Sequence, residues 1–599
     1  MDILRDTSPH TFHIPVMGTG FTIDTPLKVA RYGVSSAMSL GDDLLLEQMR
    51  RHHSEQADEP FQEITPKEDD FRARRVTAYL NLVDKLVARQ AEELQASPFE
   101  PGSEITRYYR MLPGDTPRKR LYNKMLALPE GPDKAALQEQ LRTLATPGSI
   151  DVNIMAKVDR DNYKDGEKLP PEYSDAAAAF RGYALSTLRS SIIFSAGMNP
   201  RLYGLINRFS DFLPRGGEPP KKKVILKVSD FRSAMIQGKY LAKRGVWVSE
   251  YRIESGLNCG GHAFASAGHL MGPILEEFKN QRDSLREDLH ATYVKALKDS
   301  DTPAPEAPFP VRITAQGGLG ASAEDAALRR QYGVDGTGWA TPFLLVPEVT
   351  NVDEDHLRKL EQAVDGDVAL SYTSPFGVPF WILKRSESEE IRRGRIAEGK
   401  PGSPCPKGHL RFNTEFTEMP LCTASRVYQR KKLRELDGIE DLSADERDAR
   451  RELVLAKACI CHDLAGAATK KNHIDEKATP SITCGPNIVN FSKRASLDAM
   501  VDHIYGCKEL PMNPSRPHML IKELLLYVDY LSREKQSAAM GLSNATEKYF
   551  QEFRDNLLAG IAHYRERARE LAHWNLEEFT AALDRLESGA LSADALSTS

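Results

Sequence analysis

Cysteine is scarce in this chain: seven in 599 residues, an odd number. That excludes a disulfide scaffold and sets the expectation of a reducing, cytoplasmic compartment. No run approaches the roughly 20 apolar residues of a membrane-spanning helix. The opening MDILRDTSPHTFHIPVMG lacks the basic-then-apolar pattern of a secretory leader, so no membrane association is expected. Neither sign of charge dominates, with 80 Lys+Arg against 85 Asp+Glu and a formal net charge of −5. A nucleic acid partner is therefore not expected either. No repeat of about 20–50 residues is present, which excludes a solenoid. What remains is 41% hydrophobic and 28% charged, the balance of a folded globular chain. At roughly 150 residues per domain, the length predicts two to four domains.

Short apolar or β-branched runs alternate with helical or Gly/Pro-containing stretches. HTFHIPVMGTGF, VSSAMSL, SIDVNIMAKV, SSIIFSAG, KKVILKV, GVWVSEYRI, FPVRITAQGGLG and VDGTGWATPFLLVPE read as strands; TPLKVARYG and SAEDAALRRQYG read as helices. This rhythm predicts an α/β fold, a (β/α)8 TIM barrel, with a doubly wound open sheet as the other arrangement. The barrel is expected over 1–45 and 148–385. Between them, 46–147 reads as a helical insertion, with Val76, Tyr79, Leu80, Val83, Leu86 and Val87 at helical spacing. Residues 386–512 hold most of the cysteines and open on a polar linker (SESEEIRRGRIAEGKPGSPCPKGH), and 513–599 reads as C-terminal helices.

The segment VRITAQGGLGASAEDAALRRQYGVDGTGWATPF carries the strongest chemical signal. One strand ends in Gly317-Gly318, a helix starts after Gly320, and a second strand ends near Ala340-Thr341. Bare glycine turns and a helix N-terminus suit an anion such as a phosphate, and barrels commonly bind one in the loops after their last two strands. Tight turning alone is the other reading of the same glycines.

The segment resembles the FMN-phosphate site of the nitronate monooxygenase family, which includes flavin-dependent enoyl-ACP reductases. AQGGLG, GVDGTG and ATPF carry that resemblance. Three further segments match in order: PVMGTGF, DVNIM and ESGLNCGGHAF. Together they cover about half of the chain. The resemblance implies bound FMN, with Met17, Gly18, Thr19, Asn153, Gly260 and Gly261 around it and its phosphate at Gly317, Gly318, Gly320, Ala340 and Thr341. His262, after the Gly-Gly pair, is the implied proton-transfer or positioning residue, or else a loop histidine bonded to a neighbour. Lys227 is placed to put a positive charge near the flavin, or is an ordinary strand-end lysine. The chain departs from the family at Asn258-Cys259, where an acidic-Ala pair is usual, and at Trp339-Ala340. LRFNTEFTEMPL followed by TASRVYQRKKLRELDG resembles the enoyl reductase component of polyunsaturated fatty acid synthases.

Cys422, Cys459, Cys461 and Cys484 suggest four thiolates for a metal centre. The absence of Cys-x2-Cys knuckles favours a [4Fe-4S] cluster over zinc, with Cys405, Cys507, His409, His462 and His473 as spare ligands; buried, inert cysteines are the third reading. The leading functional expectation is an FMN-dependent oxidoreductase of the nitronate monooxygenase-like class acting on a small-molecule substrate, with a cluster relaying electrons. A flavin-dependent enoyl-thioester reductase using NAD(P)H, and a non-catalytic flavin-binding scaffold, are the alternatives. A redox partner protein and a homo-oligomer complete the expected partners.

Overall fold

The computed structural model describes residues 8–592 apart from 115, 196, 264, 265 and 573, with the side chains of 591 and 592 left out. Eight parallel strands close into a barrel: β1 (Phe12–Ile14), β2 (Ser35–Ser39), β3 (Ile150–Met155), β4 (Ser191–Ser195), β5 (Lys223–Val228), β6 (Val248–Glu254), β7 (Arg312–Gln316) and β8 (Gly336–Gly338). They pair in chain order and β1 pairs with β8, so no edge is left open. Each strand coincides with a segment expected from the sequence, β6 running one residue further to Glu254, because strands covered on both faces are mostly apolar.

The inserted helices supply part of the barrel's outer wall. The 26-residue α1 (Phe71–Ala96) presents Val76, Tyr79, Leu80, Val83 and Val87 as its buried stripe. Its Thr77 hydroxyl donates to the Gly182 carbonyl at 2.9 Å on α2 (Asp175–Ala184), and the Tyr79 hydroxyl donates to Ile23 O at 2.9 Å. One contiguous hydrophobic core runs through barrel, insertion and C-terminal helices.

Two additions shape the open end of the barrel. The segment 368–383 lies outside the barrel, although the sequence assigns 148–385 to it. It forms an antiparallel hairpin of β9 (Val368–Ser371) and β10 (Phe380–Leu383), since the barrel is already closed by β8. The hairpin lies on the loop after β6: Trp381 N donates to Gly261 O at 3.0 Å, and Ala263 N to Pro379 O at 2.9 Å. The second addition is helical. α3 (Ile460–Lys471), α4 (Met519–Ala539), α5 (Glu547–Glu566) and α6 (Leu576–Ser592) contribute buried side chains to the same core, apart from the undescribed end of α6. Among the described residues no helix is long and apolar enough to cross a membrane.

Candidate active site

At the C-terminal ends of the strands lies a cavity of about 500 Å³, the position and size of a barrel enzyme's binding site. The loops after β1 and β6 and the strands β3 and β5 bring Gly18, Thr19, Asn153, Lys227, Gly260, Gly261 and His262 to its wall. These residues are scattered over some 240 positions of sequence, and barrel closure gathers them.

The loop after β6 does most of the shaping. Asn258 takes a left-handed φ of +46°, which Asn tolerates better than most residues. Its side chain fixes the turn: Nδ2 donates to His262 O at 2.9 Å, and Gly260 N donates to Oδ1 at 2.6 Å. Gly260 and Gly261 follow at φ +101° and +87°, bare backbone in a region that disfavours side chains. A Cβ on Gly260 would lie 3.2 Å from Thr483 O. The unusual Asn at this position thus has a structural job.

His262 holds its Nε2 2.6 Å from the Ser374 hydroxyl at the hairpin tip and stands edge-on to Phe380 at 4.9 Å. Burial, and then the Lys227 charge, lower its pKa to about 4, so the imidazole is neutral at pH 7. Lys227 Nζ donates to Glu254 Oε2 at 2.7 Å, and Gln316 Nε2 donates to Glu254 Oε1 at 2.7 Å. Glu254 is a site residue that sequence reasoning missed, although it opens the quoted ESGLNCGGHAF motif; Phe264 of that motif lies outside the described residues. Cys259 is buried, and its thiol is pushed up first by that burial and then by the Glu254 charge. Nothing in the sequence pointed to Ser374, Thr483 or Tyr527, which reach the site from the hairpin and the C-terminal segment.

The remaining nominated residues do not reach the cavity. Met17 is 1% exposed and packs in the core. Gly317 and Gly318 make the expected left-handed turn, at φ +97° and +86°, but neither lines the cavity. Nor do Gly320, Ala340 and Thr341. Gly485 N donates to the Thr341 hydroxyl at 3.2 Å, and Asn487 Nδ2 to Leu319 O at 2.6 Å, so the segment 483–487 covers these turns. The start of the following helix, α7 (Ser322–Tyr332), already holds an anion of the chain's own. Glu324 Oε2 accepts from Gly320 N and Ala321 N at 3.0 and 3.2 Å. Its carboxylate is 1% exposed and paired at 2.7 Å with Arg516. Positive helix end, carboxylate and guanidinium form a closed set.

The cysteines divide as well. Cys422 and Cys461 gather with Cys405 around one small apolar cluster, and Cys459 lies two residues before Cys461 in the chain. Cys484 stands elsewhere, its Cα 3.3 Å from where a Cβ on Gly260 would be. The expected ligand set of Cys422, Cys459, Cys461 and Cys484 is therefore not assembled. All seven cysteines are free, and among the described residues no three His, Cys, Asp or Glu are grouped to hold a metal ion. The spare histidines have carboxylate partners: His409 with Asp42, His462 with Asp463 and His473 with Glu476.

No family model matches the chain, and no curated protein does. Several solved structures are similar in part. FabK from Thermotoga maritima shares 14% identity over 63% of this chain and 81% of its own, with a TM-score of 0.31. The enoyl reductase domain of MlnA, from the macrolactin biosynthesis cluster of Bacillus amyloliquefaciens, shares 14% over 70% of this chain and 89% of its own, at 0.32. Nitroalkane oxidase from Streptomyces ansochromogenes shares 10% over 85% of this chain and 97% of its own, at 0.35.

Proposed function

We propose that this chain is a flavin-dependent oxidoreductase of the nitronate monooxygenase-like class that works on a small molecule in the barrel-mouth cavity. One observation carries the reading: seven residues nominated from the sequence converge, from two loops and two strands, on a single cavity. Its walls fit a flat ring, with bare backbone at Gly260 and Gly261, a carboxamide at Asn153 and a cation at Lys227. When bound, the flavin supplies two-electron chemistry, and the protein's part is orientation, polarity and proton handling.

Asn153 and Lys227 would hold the polar edge of the ring, with Glu254 and Gln316 fixing where the ammonium sits. His262 holds a single proton at neutral pH, and its ring is oriented by Ser374. Phe380 of the hairpin and Tyr527 of α4 line this space from outside the barrel strands. The phosphate of FMN would reach Gly317, Gly318, Gly320, Ala340 and Thr341 only where the 483–487 segment and Arg516 give way.

The test is an optical spectrum of the chain purified without oxygen, followed by addition of NADH, NADPH and a nitronate in turn. The reading expects a flavin band near about 450 nm, bleached by the nitronate. Bleaching by a nicotinamide would favour the enoyl-thioester reductase instead. A colourless chain that takes up no flavin would contradict both.

A further inference from the structure

Ser374 meets His262 at the tip of the hairpin, in the connection between β9 and β10. The tip is tied in place. Gly377 N donates to Ser374 O at 3.1 Å across the turn, Ala458 N to Thr373 O at 2.9 Å, and the Thr423 hydroxyl to Pro375 O at 3.1 Å. The histidine is held as firmly: His262 and Phe380 form an antiparallel bridge, and the imidazole stands edge-on to Phe380 at 4.9 Å and to Phe376 at 6.0 Å. Ser374 is 0% exposed, and its Oγ lies 2.6 Å from His262 Nε2.

The bonds of this one hydroxyl decide which nitrogen carries the imidazole proton. A hydroxyl has one proton to give and two lone pairs to receive with. Phe376 N donates to Ser374 Oγ at 3.2 Å, so one lone pair is taken. Among the described residues, His262 Nε2 is the hydroxyl's other partner and the one acceptor for its proton. An Nε2–H aimed at Oγ would make the hydroxyl receive twice and leave its own proton buried and unmet, which folded chains avoid. The Ser374 O–H therefore donates to Nε2. Burial keeps the ring neutral, with a single proton, and that proton falls to Nδ1. Neither nitrogen then has a lone pair to offer a substrate.

We propose that Ser374 is a positioning residue that fixes His262 as the Nδ1–H tautomer, so that the imidazole donates a hydrogen bond in the cavity and takes no proton from the substrate. For its substrate this rests on the flavin oxidoreductase reading above, and it narrows that substrate to one that arrives already ionised. A nitronate brings its negative charge to a donor N–H and needs no base. A neutral nitroalkane must first lose a proton from carbon, and this imidazole cannot take it. The other ionisable groups of the wall are engaged too. Asp42, Asp175 and Glu254 are paired with Lys407, Arg160 and Lys227, and His409 Nε2 faces Asp42 at 3.4 Å.

The experiment records the nitrogen NMR spectrum of the full chain carrying isotope-labelled histidine at neutral pH, with His262 assigned by its loss in His262→Gln. The expected spectrum has Nδ1 at the proton-bearing position and Nε2 at the bare, hydrogen-bonded one. In Ser374→Ala the proton should move to Nε2 or be shared, and Ser374→Thr, which keeps the hydroxyl, should restore the wild-type pattern. A second arm mixes the flavin-loaded chain, without oxygen, with ethyl nitronate or with freshly dissolved nitroethane. Bleaching is expected to be at least about 100-fold slower with the neutral form, the least that a missing proton carrier usually costs. A proton on Nε2 of the wild-type chain would overturn the proposal. So would a pattern that Ser374→Ala leaves unchanged, or equal bleaching by the two forms. A chain that holds no flavin would fail the reading on which the substrate rests, while the nitrogen spectrum, which needs no flavin, still decides the tautomer.

Discussion

His262 is the residue on which the proposed chemistry turns. Its pKa of about 4 leaves a neutral ring, so it works as a fixed donor or acceptor and not as an imidazolium. Replacement by Ala is expected to lower turnover by about 10²–10⁴-fold, the usual worth of a positioned proton carrier. The pH profile of kcat/KM gives a sharper reading. With the folded pKa near 4, the chain should show no break at the ordinary histidine value of about 6.5, and activity should fall only as pH approaches about 4. A break near 6.5 that vanishes in His262→Ala would show an ordinary, solvated imidazole. Stopped-flow reduction of the flavin across that range makes the comparison.

At the scale of elements, the C-terminal segments complete the barrel mouth. Arg516 holds Glu324, reaches Gly318 O at 3.2 Å and Asn487 Oδ1 at 3.2 Å, and so ties the segment before α4 to the turn after β7. Arg516→Ala strands a buried carboxylate at the start of α7. A loss of about 3–5 kcal/mol is expected in denaturant unfolding, whereas Arg516→Met combined with Glu324→Leu should lose much less. Equal losses in both variants would deny the pair its role. Glu523 on α4 works as a second latch. Its carboxylate, 1% exposed, accepts from Gly256 N at 2.9 Å and Met271 N at 3.0 Å, holding both ends of the stretch that includes the Gly-Gly-His loop. Glu523→Leu removes both acceptors, at about 1–3 kcal/mol each. Hydrogen exchange at Gly256 and Met271 should quicken ahead of global unfolding; exchange at the wild-type rate would contradict the latch.

How much of this was legible in the sequence follows from the range of the forces involved. All eight barrel strands were readable, because apolar runs between turn signals are local. The ring-side residues Asn153, Lys227 and His262 were readable because each lies in the C-terminal half of a strand or in the loop after one, and the barrel sends such positions to one mouth. The hairpin 368–383 was not separated from the barrel, since no local signal says that β8 is the eighth and last strand. The covering of Gly317–Gly320 depends on Asn487 and Arg516, more than 160 residues away, and no pattern near the glycines announces them. The cysteine set erred for a similar reason. Cys405, in SPCPKGH, shares an apolar cluster with Cys422 beside a Ser403–Ser425 backbone bridge that spacing cannot reveal, while Cys484 packs beside the Gly-Gly turn.

For the whole molecule, the buried histidines set the response to acid. His10, His262 and His518 are lowered to about 4 and His13 to about 3, each chiefly by burial. Unfolding lets each take up a proton near pH 6.5, so in the window between about 6.5 and 4 the unfolded chain binds more protons and stability falls as pH falls. Glu523, raised by burial to about 7, acts the other way: the folded chain holds its extra proton between about 4.5 and 7. His52, His503 and His563 are lowered in the same way, while Asp151, Asp325 and Asp463 are raised by burial and act with Glu523. The histidines are the more numerous, each able to contribute up to about 1.4 kcal/mol per pH unit. The unfolding midpoint is therefore expected to drop between pH 6.5 and 4.5; a flat or rising midpoint, followed by calorimetry, would contradict it.

The cavity's occupant is the claim on which the functional account stands, and a titration of the purified chain with FMN, followed by flavin absorbance and fluorescence, tests it most directly. The account predicts saturation at one FMN per chain and loss of that binding in Gly261→Val, which puts a branched side chain on backbone at φ +87° beside His262. A wild-type chain that leaves the flavin spectrum unchanged, or a Gly261→Val chain that binds FMN as tightly as the wild type, would contradict it.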